Sequence, residues 1–143
     1  MRIGRALGVV GMAALVGGSG TLHLVSPRTY ERIVPRMLGH QHLLVTVSGV
    51  VELVCAALLL APPTRRVGGW ATAVLLVAVF PANVQMALDG GVRGAGFPFD
   101  NAAVAYARLP LQPVLVWWAL LATGALDPAP SWRVRLLGTS SGH

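Results

Sequence analysis

The stretch LLVTVSGVVELVCAALLLA, Leu43 to Ala61, decides the fold. It matches the roughly 20 residues that an α-helix needs to cross the hydrocarbon of a bilayer. It is apolar except for one formal charge, Glu52, near its middle. Three comparable runs flank it: Ala6 to Val25, Val67 to Leu88, and Ala102 to Leu126, the last with Arg108 inside. Hydrocarbon offers no water to backbone N–H and C=O groups, so uninterrupted apolar runs of this length satisfy themselves only as helices. The expected fold is all-α: one domain over 1–143, a four-transmembrane-helix bundle with spans at about 6–25, 43–61, 67–88 and 102–126, and a short polar tail over 127–143.

Composition agrees. The chain is 55% hydrophobic and 11% charged, against about 25% charged in soluble domains, which excludes an ordinary cytosolic enzyme. A net charge of +6 would raise nucleic acid as a partner on a polar fold. Here the arginines fall between apolar runs, so the expected partner is the lipid bilayer and not nucleic acid.

The N-terminus also reads as a signal peptide, with Arg2 and Arg5 ahead of an apolar stretch. No A-x-A-like cleavage site follows and the run continues through Leu22, Leu24 and Val25, which favours a retained span. Gly4 and Gly8, Ala13 and Gly17, and Ala14 and Gly18 are small residues at a spacing that suits close helix contact. In the fourth run Pro110 and Pro113 leave two readings open: a helix capped at Asp100 and kinked at Pro110, or one beginning near Arg108 with Pro110 in its first turn, where proline is tolerated.

Four spans put both termini on one side with Arg2, Arg5, Arg65, Arg66, Arg133 and Arg135, against Arg28, Arg32, Arg36, Arg93 and Arg108 opposite. The short Arg65–Arg66 turn favours termini in the cytoplasm. In the first external loop Ser26 and Pro27 signal a short helix with Tyr30, Ile33 and Val34 on one face and Arg28 and Arg32 on another, an interfacial pattern that Pro35 ends. The second external segment, Asp89 to Asp100, reads as a Gly-rich loop with Phe97 and Phe99 at headgroup level.

Ionisable groups near the bilayer midplane are expensive and face the bundle or a cavity, so Glu52 needs a partner or a proton. Arg108, on the same external half, is the expected partner. His23, Ser48, Asn83, Gln85 and Gln112 share that half, giving a polar pocket to which each helix contributes. Asn83 and Gln85 are two apart and point to nearly opposite sides, so one of them faces the others. Pro81 frees a backbone carbonyl beside them. His23, His40 and His42 read equally as boundary residues. Cys55 is the sole cysteine, which removes intramolecular dithiol chemistry and thiolate metal sites. No phosphate loop, dinucleotide fingerprint or hydrolase elbow occurs in a usable context, so no autonomous catalytic motif and no cofactor held by the chain itself are expected.

The run from His23 to Pro35 (H-x-x-x-P-x-x-Y-x-x-I-V-P), S-G-V-V-E-L at Ser48–Leu53, the Pro63-Thr64-Arg65-Arg66 turn, V-F-P-A-N-V-Q-M-A-L at Val79–Leu88 and R-L-P-L-Q at Arg108–Gln112 resemble the DoxX family of small bacterial membrane proteins, in its DoxX-like branch. The resemblance implies a redox-associated subunit of the bacterial inner membrane, with redox partner proteins and a quinone or small molecule as ligand of the polar pocket. The single cysteine departs from intrinsic thiol chemistry. The alternative expectations are a small proton-coupled transporter, which would act as a homodimer, and an assembly factor without chemistry of its own.

Overall fold

A computed structural model describes residues 2–128, and among them it has no strand. Its helices are α1 (Arg2–Val25), α2 (Pro27–Glu31), α3 (Gln41–Leu60), α4 (Arg65–Leu88) and α5 (Ala102–Thr123), with 3-10 turns at Arg36–Leu38 and Pro62–Thr64. α1, α3, α4 and α5 are each long and apolar enough to cross a membrane. Their outer faces leave Leu7, Val47, Val74, Val114 and Trp117 exposed, a continuous apolar coat that water would not tolerate. The protein is therefore a membrane-embedded all-α bundle, as its hydropathy implies.

The helix ends depart from the apolar runs for local reasons. α1 and α4 begin on arginines, because a guanidinium ends hydrophobicity without ending a helix. α5 stops at Thr123 because Gly124 adopts φ +65, letting Gly124 N–H bond the Leu121 carbonyl and Ala125 N–H the Leu120 carbonyl, a Schellman closure. Of the two readings of the fourth span, the longer one is found. Its cap is Asn101 and not Asp100: the Val104 N–H donates to Asn101 Oδ1 at 3.2 Å, and Pro110 and Pro113 lie inside the helix. The loop helix α2 has Ser26 at its N-cap and Pro27 in its first turn, but closes at Glu31, earlier than Pro35 would require. Arg133, Arg135 and the tail beyond residue 128 lie outside the described residues, as does the Arg2 side chain.

The four spans form a ring in the order α1, α3, α4, α5, each packing on its neighbours in sequence, with α5 returning to α1. Thus α1 and α4 are diagonal, as are α3 and α5. Two large apolar cores fill the ring, beside a small cluster of Ala73, Leu120 and Ala125. One, towards the termini, holds Val9, Met12, Ala13, Val16, Cys55, Leu59 and Ala119. The other, beneath the loops that join α1 to α3 and α4 to α5, holds Tyr30, Ile33, Val45, Met86, Ala87, Val92 and Ala105. Glu52 of α3 and Gln112 of α5, both buried, fall between these cores.

Small residues set the helix spacing. A Cβ on Gly8 would meet Ala122 and Trp118, and one on Gly17 would meet Ala56, whereas Gly4 and Gly18 face open space. The tightest α1–α3 approach is at Gly20, where an added Cβ would lie 2.7 Å from the Gly49 carbonyl oxygen and 2.8 Å from Glu52 Cβ. At the terminal end Arg5 donates to both carboxylate oxygens of Asp127, at 2.6 and 3.2 Å. That bond, opposed by burial and supplemented by the Arg5 and Arg66 charges, holds the Asp127 carboxyl below its ordinary range.

Two outcomes follow. Gly20→Ala lowers stability by about 1–3 kcal/mol through overpacking, while Gly18→Ala does not, in thermal or denaturant unfolding followed by helicity. Because the Asp127 pKa is depressed, its contribution is present above the ordinary carboxylate pKa and is lost as pH falls through the folded value. The unfolding midpoints of wild type and Asp127→Asn therefore differ at neutral pH and converge in acid.

Candidate functional site

Glu52 lies about 16 Å along α3 from its first residue and about 12 Å from its last, at 1.5 Å per residue, and is only 6% exposed. Its Oε2 is 3.1 Å from His23 Nδ1, and the Ser48 hydroxyl, one turn earlier, donates to Oε1 at 3.4 Å. The Gly20–Gly49 crossing makes this contact, since a bulkier residue at Gly49 would meet His23 Cβ at 2.9 Å. A hydrogen bond between an imidazole nitrogen and a carboxylate oxygen contains one proton. Either Nδ1–H donates to carboxylate or the carboxylic acid donates to Nδ1, and proton movement between the two needs no change of position.

The expected Glu52–Arg108 ion pair is not formed: the salt bridge found at Glu52 is to His23. α3 and α5 stand diagonally in the ring, and Arg108 instead places its guanidinium 5.3 Å from the centroid of Phe99. Phe99 packs edge-to-face on Tyr30 at 5.6 Å, and Tyr30 on His23 at 4.0 Å. Arg108 therefore joins Glu52 through two aromatic rings and an imidazole. Burial pushes the Tyr30 phenol above its ordinary pKa, with the Arg108 charge pulling down and the Glu52 charge pushing up, so this hydroxyl lies in the field of both.

The aromatic cover belongs to two loops. Glu31, at the end of α2, pairs with His42 Nδ1 of α3 at 2.7 Å, and Arg32 donates to the Arg93 carbonyl at 3.2 Å. Val92 N–H donates to the Phe99 carbonyl at 2.7 Å, folding residues 92–99 back on themselves. Phe97 is 80% exposed and fits the expected headgroup position. Phe99 does not, because it is packed against the inner core. Tyr30 and Phe99 are the members of the site that sequence reasoning placed only at the interface. The signal available was Tyr30's position seven residues after His23, where the chain folds back over the helix end.

The second half of the ring holds the remaining polar pair. Asn83 Nδ2 donates to Gln112 Oε1 at 2.9 Å, and Gln112 Nε2 donates to the Leu76 carbonyl. That carbonyl is one residue before Val77, whose own partner is removed by Pro81. Gln85 turns away, as its spacing from Asn83 implies, and donates to Asp89 at 3.0 and 3.1 Å. Among the described residues the Thr72 hydroxyl is the buried side-chain polar atom without a partner, so the amides and the Glu52 carboxyl are satisfied by protein. No three His, Cys, Asp or Glu side chains converge among the described residues in a way that could hold a metal.

The two interhelical pairs have the same construction. Each joins residues 29 apart in sequence, and Asn83 and Gln112 each stand 60 positions after His23 and Glu52. The correspondence extends to burial: Met12, Ala13, Val45 and Leu59 match Thr72, Ala73, Ala105 and Ala119, all buried. The bundle is thus two parallel helix–loop–helix halves, α1 to α3 and α4 to α5, with a titratable pair in one and an amide pair in the other.

A family model described as a domain of unknown function, DUF8561, matches residues 12–123, and the chain belongs to that family. The matched stretch contains both polar pairs and the aromatic cover. No curated protein and no solved structure matches the chain.

A double-mutant cycle on His23→Ala and Glu52→Gln gives a coupling of about 0.5–3 kcal/mol in unfolding, as expected for touching residues. The cycle of Glu52→Gln with Arg108→Gln gives less. Asn83→Ala leaves the Gln112 amide short of a partner and costs about 1–3 kcal/mol.

Proposed function

We propose that this DUF8561 member is a DoxX-like, redox-associated subunit of the bacterial inner membrane with its termini in the cytoplasm. In this reading the His23–Glu52 pair exchanges a proton with the headgroup of a quinone or similar small molecule held beneath the external loops. The supporting observation is the pair itself, a carboxyl and an imidazole sharing one hydrogen bond inside the membrane. Intramembrane Glu and His side chains so arranged are the parts from which proton relays are built.

Quinone chemistry moves protons together with electrons. The chain has groups for the first and none assigned to the second, since Cys55 is its sole cysteine and is buried. Electrons would therefore come from a redox partner protein, which suits a subunit better than an autonomous enzyme. A quinone carbonyl needs hydrogen-bond donors, and the donor set at the loop end fits that need. The Tyr30 hydroxyl and the Arg108 guanidinium flank the pair through Phe99 and His23, and they would orient the headgroup.

One observation favours a second reading. Parallel internal repeats are also a build found in transporters, and Glu52, buried within one of the two repeats here, could couple proton binding to substrate movement. Against the dimer form of that reading, Glu52 is enclosed within one bundle, with only 6% of its surface exposed.

The test uses the full-length protein in nanodiscs containing a benzoquinone or naphthoquinone with a short isoprenoid tail. Glu52→Gln and His23→Ala should each weaken quinone binding about tenfold or more, equivalent to about 1.4 kcal/mol, with Arg108→Ala reducing it as well. If Glu52→Gln and Arg108→Ala leave both quinone binding and capture of a partner oxidoreductase untouched, the redox reading fails. Uptake of hydrophobic cations into proteoliposomes driven by a pH gradient would favour the transporter instead.

A further inference from the structure

The end of the bundle that carries the start of α1 and the end of α5 holds a cavity of about 280 Å³, lined by Arg5, Ala6 and Val9 of α1, Arg65 of α4, and Ala122 and Thr123 of α5. Arg5 and Arg65 stand 60 positions apart, the offset that relates the two halves, so equivalent arginines reach the same space from diagonal helices.

Among the described residues, the charges around this cavity do not balance. Asp127 is bonded to Arg5. Arg65 donates to the Leu59 and Leu60 carbonyls at 3.2 and 3.4 Å, and Arg66 donates to the carbonyls of Ala125 and Asp127. Backbone carbonyls satisfy guanidinium N–H groups without cancelling their charge. Three guanidinium groups thus gather around one carboxylate, and two of them line the cavity.

The remaining lining points to the source of the missing anion. Ala6, Val9 and Ala122 give an apolar floor that borders the core of the ring, which free phosphate would not need. A cationic rim over an apolar floor, where membrane-spanning helices end, matches a phosphodiester with the glycerol and first acyl carbons below it. The volume is just under the roughly 300–1,000 Å³ of ordinary small-ligand sites, enough for a headgroup but not a whole lipid.

We propose that the Arg5–Arg65 cavity binds the phosphate headgroup of an anionic phospholipid. It is separate from the His23–Glu52 site and independent of the function assigned there.

The test is lipid retention by the full-length protein in neutral detergent, read by native mass spectrometry, with phosphatidylglycerol and phosphatidylcholine titrated in parallel. Wild type retains phosphatidylglycerol in preference to phosphatidylcholine. Arg65→Gln weakens phosphatidylglycerol about fivefold, and Arg5→Gln with Arg65→Gln about twenty-five-fold, as loss of one and two interfacial arginines implies. Arg65→Lys, which keeps the charge, stays near wild type and separates charge loss from misfolding, and Arg93→Gln at the opposite end has no effect. Equal retention of the two lipids, or an equal loss in Arg93→Gln, overturns the site. If inorganic phosphate displaces phosphatidylglycerol as readily as added phosphatidylglycerol does, the cavity holds a free anion and the lipid assignment fails.

Discussion

A carboxyl group at the centre of a membrane-spanning helix must find its hydrogen bonds within the protein, because hydrocarbon supplies none. Much of the first half of this bundle follows from that requirement at Glu52. His23 can reach the carboxyl only if α1 and α3 nearly touch, and they do so where Gly20 meets Gly49. The crossing also sets their register: the last turn of α1 lies level with the middle of α3. α3 continues about 16 Å beyond that level by helical rise, and the space left above α1 is filled by α2, Tyr30 and the returning second loop. Buried polarity, small residues and a folded loop cover are parts of one solution.

The spans were legible because hydrophobic length is a property of contiguous residues. So was the expectation that only one of Asn83 and Gln85 faces the other polar groups, because a separation of two along a helix dictates nearly opposite sides; which one it is was not legible. The short helix after Ser26 was legible from its cap and proline, although its stop at Glu31 was not. The partner of Glu52 was hidden. Choosing His23 over Arg108 requires the order of helices around the ring, which leaves α3 beside α1 and diagonal to α5, and no local pattern encodes that order. Charge complementarity suggested the wrong partner, and helix adjacency overruled it. Phe99 was hidden for a related reason, since its burial depends on Val92 and Tyr30 meeting it from distant parts of the chain.

The repeat was also invisible to composition, because its two halves preserve positions and not residue types. His23 and Glu52 correspond to Asn83 and Gln112, and Met12 to Thr72. Gly20 corresponds to Phe80, so the close α1–α3 crossing has no glycine equivalent in the second half. What persists is the placing of a polar pair between two apolar cores and of an arginine at the first turn of α1 and of α4. An offset of this kind emerges from hydrogen bonds and burial, which is why it appears once the helices are packed.

That repeat supplies an internal control on the meaning of the His23–Glu52 pair. Holding two antiparallel helices in register inside a membrane requires a polar contact that is satisfied, and the Asn83–Gln112 pair meets the requirement with neutral amides and a spare carbonyl. The equivalent position in the first half carries groups that titrate, and a buried ionisable pair costs more to desolvate than an amide pair while giving no better geometry. Helix registration alone therefore explains why polar side chains occupy these positions, but not why one half uses a carboxyl and an imidazole. What those two groups add to the amides is the capacity to hold or release a proton, which keeping the helices in register does not call for.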